Sequence, residues 1–249
     1  MQALKELLYK MADDQLIIGH RNSEWTGLGP ILEEDIAFSS MAQDKIGQAQ
    51  ALYKLLHTMG EQEPDVLGFM RNAEQMHCCH LVEVPISNYA FSLMRNFLHS
   101  HAELIRFEML TGSICQPLAN IAKKYRGEIK YHVMHGSTWL KQLGNANEDS
   151  NQKMQQALAG CWNLALGIFE PSPYETDLQK ENIFEGETAL KDRWLETISP
   201  IIGKASLKLP PHNEWTPAFG GRTGNHTLHL QPMLDEMTEV YKIDPSAEW

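Results

Sequence analysis

Two stretches place acidic and imidazole side chains at a spacing that could do metal chemistry: "AQDKIGQAQ", with Asp44, Lys45 and Gln48, and "GEIKYHVMHG", with Glu128, Ile129 and His132. Residues three apart lie on one face of a helix, so a helix reading Asp-Glu-x-x-His aims a carboxylate and an imidazole at a single centre. A bundle that holds two irons takes such a pair from each of two helices and one further carboxylate from each of the other two. Against that signature the leading acids Asp44 and Glu128 are in place. The positions of the metal-binding Glu hold Lys45 and Ile129, and of the two His positions one holds Gln48 and the other keeps His132.

The two departures sit on apolar stripes. Lys45 lies in line with Phe38, Met41, Gln48, Ala49 and Leu52, and Ile129 with Ile121, Tyr125, Val133 and Leu140. A Lys on a helix is ordinarily a solvated side chain whose stem covers apolar surface. Here its place in the pattern predicts a core position in which the ammonium substitutes for a metal's charge, a state that persists only if the ammonium is paired and hydrogen-bonded. On the first helix Asp14 continues the stripe Leu4, Leu7, Met11 and Ile18 and could face Lys45 across the core, with Asp13 as the rival, so the ammonium is expected to pair with Asp14 or a neighbouring acid. On the third helix His99, His101 and Glu103 compete, and periodicity does not choose among them.

The elements that must position these residues follow from apolar spacing. Helices are expected over residues 2 to about 20, 30 to 59 with Gly60 as a stop, 88 to 110, and 117 to 143. Residues 60 to 87 read as a long connection with a helical hint at "PDVLGFM". The short "TGSICQ" makes the third and fourth helices an antiparallel pair. Helix pair, long crossover, helix pair is the connectivity of a ferritin-like four-helix bundle. Further helices are expected near 149 to 169, 186 to 199 and 227 to 241, separated by "KLPPHNEWTPAFGGRTG", where Pro and Gly forbid regular helix. The expectation is an all-α chain, residues 1–249 as one ferritin-like domain, with the bundle over about 2–143 and a C-terminal helical extension over about 149–249.

Composition narrows the function classes. The chain has 249 residues, 43% of them apolar, and a net charge of −11 from 32 acidic and 21 basic side chains. That balance argues against a nucleic-acid partner, whose phosphates need neutralising. No apolar run approaches the roughly 18 residues a membrane span needs, and the N-terminus has helical rather than signal-peptide character. Cys78, Cys79, Cys115 and Cys161 do not suggest a disulfide framework, so a reducing cytoplasm is expected. In "MHCCHL", adjacent cysteines lack the separation at which two thiolates converge on zinc, and a packed crossover is expected with no metal bound. The loop Gly220, Gly221, Arg222 and Gly224, ahead of a helical pattern from about Asn225, could bind an anion at a helix start or simply turn the chain against the bundle, the second being favoured. His226 and His229 could share a face, and read as capping and packing residues.

These residues also carry a resemblance. "EWTG" (Glu24 to Gly27), "DKIGQAQ" (Asp44 to Gln50), "EIKYH" (Glu128 to His132), "WLKQLGN" (Trp139 to Asn145), "QKMQQAL" (Gln152 to Leu158), "GGRTGNHTLHLQPML" (Gly220 to Leu234) and a final Trp249 resemble the PaaC family, the structural subunits of the bacterial phenylacetyl-CoA ring epoxidases, over about Met11 to Trp249. The resemblance implies a ferritin-like subunit without a working diiron centre. Its partners would be a diiron catalytic A subunit, a B subunit, and a reductase carrying flavin and iron-sulfur and using NADPH. The assembly would epoxidise the ring of phenylacetyl-CoA with dioxygen. The family is often apolar where this chain has Lys45. The leading expectation is a non-catalytic scaffold that binds no cofactor itself, with self-association left open. The alternative is an independent diiron oxygenase with a non-standard ligand set.

Overall fold

The computed structural model describes residues 1–244; the final Trp249 lies outside the described residues. Within them there are ten α-helices, five single 3₁₀ turns and no strand. The helices are α1 (Gln2–Ser23), α2 (Leu32–Thr58), α3 (Pro64–Phe69), α4 (His80–Glu83), α5 (Tyr89–Leu110), α6 (Gln116–Ala146), α7 (Glu148–Leu166), α8 (Glu175–Lys180), α9 (Glu187–Lys204) and α10 (Leu230–Thr238).

The long helices begin and end where local chemistry dictates. Asn88 accepts from the Phe91 N–H at the start of α5, and Asn147 accepts from the Ser150 N–H at the start of α7, each replacing a backbone partner the first turn lacks. Pro117 sits in the first turn of α6, where its missing N–H costs nothing. After α2 the chain turns through Gly60 at φ 90°. α1 packs along α2, and α5 along α6, each pair joined by a short connection; α3 and α4 lie on the crossover between the pairs. This is the ferritin-like arrangement. α7 and α9 lie against α5, and one apolar core runs through both the bundle and these later helices. Trp162 stacks on Trp194 at 5.4 Å, and the Trp194 indole donates to the Leu98 carbonyl of α5.

Several helix ends differ from expectation by about three residues, and two boundaries differ for a visible local reason. α9 runs through Pro200 to Lys204 rather than stopping near 199. Pro200 and Glu196 both lie on the exposed face, so water can take the place of the lost N–H. The expected helical pattern from about Asn225 is absent, and α10 begins only at Leu230. The Thr227 N–H and hydroxyl both donate to Glu83 Oε2, which holds this segment out of a helix.

Candidate functional site in the bundle core

Of the sequence-predicted core positions, Lys45, Gln48, Ile129, His132 and Asp14 are all buried. Lys45 is 1% exposed, and its ammonium lies 3.0 Å from Glu103 Oε2, itself 2% exposed. Glu103 therefore fills the corner that periodicity left open. Burial alone would raise its carboxyl pKa, but Lys45, then His99 and Arg106, hold it below the usual carboxylate range. His99 is pushed down to about 4 by burial, so it is neutral at neutral pH. His101 packs on Phe97 at 4.5 Å, and its ring Nδ1–H donates to the Phe97 carbonyl.

Of the acids that could pair with Lys45, Asp14 does not. Asp14 is taken by Arg222, which donates from both terminal nitrogens at 2.7 Å, and by the Cys79 N–H at 2.8 Å. His99 Nε2 lies 4.0 Å from Asp14 Oδ2. The rival Asp13 is bound by Arg71, Tyr53 and the His77 N–H, so neither acid of α1 is available to Lys45. The reason is reach across the sequence: the C-terminal loop brings a guanidinium whose planar fork fits a carboxylate, and a helical pattern in α1 cannot foresee it.

The other positions join α2 to α6. His132 Nε2 donates to Asp44 Oδ2 at 2.9 Å, while Gln48 Nε2 donates to Glu128 Oε2 at 3.1 Å. The leading acids thus face the His and Gln positions of the opposite helix. Ile129 is fully buried among them and offers no donor atom. A third tie binds the two helices to α5: Glu34 accepts from His135 and from Tyr89 at 2.9 and 2.6 Å. The residue set does not fit two irons. One carboxylate position is an ammonium in an ion pair, another is an alkyl chain, and one imidazole position is an amide already bound to an acid.

The glycine-rich loop packs against the bundle, with the Arg222 guanidinium turned inward onto Asp14. Arg222 is buried, and besides Asp14 it donates to the carbonyls of Lys10, His77 and Ile168. A Cβ on Gly221 would sit 2.2 Å from the Cys78 carbonyl oxygen, so only glycine allows this approach. Gly220, at φ 124°, and Arg222 present their N–H groups to Glu170 Oε2, and Gly224 is left-handed at φ 83°. His226 and His229 share no helix face. The His229 carbonyl accepts from Arg21, whereas His226 bonds to Glu83 Oε1 at 2.7 Å and to the Met76 carbonyl at 2.9 Å. The structure thereby brings Cys78, Glu83 and His226 together, a cluster the residue order does not reveal.

Further buried charges were missed by sequence reasoning. Glu187 of α9 pairs with Lys10 of α1 at 2.6 Å and with Arg106 of α5 at 2.8 Å. Lys10 lies one position from the apolar stripe of α1, and Arg106 three residues beyond Glu103; a search for charged residues on buried faces would have flagged both.

A ferritin-like bundle in which basic side chains occupy the core defines the class, and comparison with known proteins agrees with it. The family model described as "Phenylacetic acid catabolic protein" matches residues 1–249. The chain is 31% identical over 250 residues, the whole of both sequences, to the C subunit of the 1,2-phenylacetyl-CoA epoxidase of Escherichia coli (strain K12). The chain belongs to the family of phenylacetic acid catabolic proteins. Among the described residues no helix is long and apolar enough to cross a membrane.

Proposed function

We propose that this chain is the non-catalytic, structural subunit of a phenylacetyl-CoA epoxidase, binding and stabilising a diiron A subunit of the same fold, with a B subunit and a reductase completing the oxygenase. The observation that carries the reading is the buried Lys45–Glu103 ion pair, at helix positions where a diiron bundle would carry carboxylates, together with the buried Ile129 at the corresponding position of α6. A divalent ion at that point would meet an ammonium and an alkyl group. The relative's name, which makes it one subunit of the epoxidase, supports the assignment to a complex. So do Leu32, Ile36 and Ile46 on α2 and Tyr131 and Met134 on α6, large apolar side chains left exposed on neighbouring helices. The work of this chain is then to present a shaped face, and any electron and oxygen chemistry belongs to the partner's metals.

The test is co-expression with the catalytic paralogue. The two are expected to co-purify, the chain alone to hold no stoichiometric iron, and the paralogue to gain solubility or turnover when joined. Iron in pairs and dioxygen-dependent turnover in the isolated chain would overturn the reading, as would a paralogue equally soluble and active without it.

A further inference from the structure

The cluster of Cys78, Glu83 and His226 lies outside the bundle core, and the scaffold role makes no use of it. Its members come from two places far apart in the sequence: Cys78 and Glu83 from the crossover, the latter at the end of α4, and His226 from just past the glycine-rich loop. Cys78 Sγ is 3.8 Å from Glu83 Oε1 and 3.9 Å from His226 Nδ1, and those two atoms are 2.7 Å apart. Bond lengths of about 2.3 Å to sulfur and about 2.0–2.2 Å to nitrogen or oxygen put the ligand atoms of a tetrahedral zinc roughly 3.3–3.6 Å apart. Shifts of a few tenths of an ångström therefore bring all three atoms onto one ion. All three side chains are buried.

The surroundings hold these side chains as metal ligands are held. His226 Nε2 donates to the Met76 carbonyl, which turns Nδ1 towards the thiol and the carboxylate. Glu83 Oε2 accepts from the Thr227 N–H at 2.8 Å and from its hydroxyl at 2.6 Å, leaving Oε1 to face inward. The neighbouring Cys79 plays no part, because its N–H is drawn to Asp14 on the other side. The adjacency that argued against a two-thiolate site is therefore irrelevant to a site that uses one thiolate.

We propose that Cys78, Glu83 and His226 form a divalent-metal site of the zinc class that clamps the crossover to the glycine-rich loop. One thiolate, one imidazole and one carboxylate suit zinc or cobalt over magnesium or calcium, which prefer all-oxygen shells. Among the described residues no fourth Cys, His, Asp or Glu completes the set, so water takes the remaining coordination position. The exchange balances in charge. Without metal, His226 donates from both ring nitrogens, to the Met76 carbonyl and to Glu83, and Cys78 keeps its thiol proton. The ion forms bonds to sulfur and Nδ1, displaces one proton from each to solvent, and leaves the cluster's net charge unchanged, with no change of oxidation state.

The probe is cobalt(II), titrated into the full chain after unfolding in chelator and refolding. One ion per chain is expected, with a near-ultraviolet thiolate-to-cobalt charge-transfer band that one equivalent of zinc abolishes. Cys78→Ser should lose the band and His226→Gln should weaken binding at least tenfold, while Cys79→Ser should leave both unchanged. Circular dichroism establishes that each variant folds, and X-ray absorption on the zinc-loaded wild type, which needs no variant, should show a single sulfur neighbour. A refolded wild-type chain that takes up no stoichiometric cobalt, a band that persists in Cys78→Ser, or a zinc shell without sulfur would overturn the site. The result is independent of the bundle core, whose test reads iron and partner binding.

Discussion

If the Lys45–Glu103 pair is a buried ion pair inside the bundle, its two halves should be costly to separate and cheap to remove together. Lys45→Ala deletes a fully buried side chain and leaves the Glu103 carboxylate without its cation. Breaking a buried pair in this way costs about 3–5 kcal/mol, which for a chain of this size lowers the melting temperature by on the order of 10 °C. Lys45→Met keeps most of the volume and should cost less, about 1–3 kcal/mol, but its cost should depend on pH. In the wild type the Glu103 pKa is depressed, so the carboxylate contributes stability above its unfolded value of about 4.3. In Lys45→Met the ammonium is gone while burial, which raises the pKa, remains. A folded pKa moved above the unfolded one contributes fully below about 4.3 and is lost as pH rises, by up to about 1.4 kcal/mol per unit. The deficit of Lys45→Met against wild type should therefore widen between about pH 5 and pH 8. The double variant Lys45→Met, Glu103→Leu should recover to within about 1 kcal/mol of wild type, because no charge is left stranded and His99 is neutral there. Urea midpoints at several pH values, with unchanged m-values, measure all three. A Lys45→Ala cost within about 0.5 kcal/mol, or a Lys45→Met deficit flat with pH, would refute the buried pair.

Arg222→Lys is expected to destabilise by about 3 kcal/mol despite keeping the charge, because an ammonium cannot bridge both Asp14 oxygens and the three carbonyls at once; thermal denaturation of the purified variant checks this. Asp14, Glu103 and Glu187 all have depressed pKa values despite burial, held down by Arg222, Lys45 and Arg106 in turn. Their contribution is present above the unfolded values of about 4 and lost as pH falls through the folded ones, so stability measured by urea titration should drop steeply below about pH 4. Restoring the nominal ligands with Lys45→Glu, Gln48→His and Ile129→Glu should give a measurable gain in divalent-metal affinity by calorimetry in a variant shown to be helical by circular dichroism. No gain in such a variant would mean that these positions do not converge on a metal.

The bundle was legible because helical spacing writes an inward face wherever a helix has one wet side. α2 and α6 do, and there that spacing marked Lys45 and Ile129 as inward; α1 does so only in its first turns, because every residue from Lys10 to Gly19 is buried. α5 does not: every residue from Ser92 to Glu103 is buried, since α6, α7 and α9 all pack against it. With no solvent side to contrast, periodicity had nothing to say about His99, His101 and Glu103. Asp14 failed for a different reason. Its position was read correctly, but its partner Arg222 lies in a loop with no period at all, delivered by glycines whose close approach to Cys78 and Glu74 is a tertiary fact.

The buried charges show how the carboxylates of this core are neutralised by side chains. Lys10, Lys45, Arg106 and Arg222 pair with Asp14, Glu103 and Glu187, so every carboxylate of this network has a cation against it. In a diiron bundle the carboxylates of four helices are neutralised by the metals. Here the same kind of carboxylate is retained on α1 and α5, but the neutralising charge comes from side chains on α1, α2, α5 and the glycine-rich loop. The substitution has a structural consequence. A metal is held from within the bundle, whereas Arg222 must be brought in from the C-terminal extension and Glu187 from α9. The later helices are thus tied electrostatically as well as apolarly to the bundle they cover. Removing them would leave Asp14, Lys10 and Arg106 in the core without these partners, which gives the C-terminal extension a structural role in the bundle.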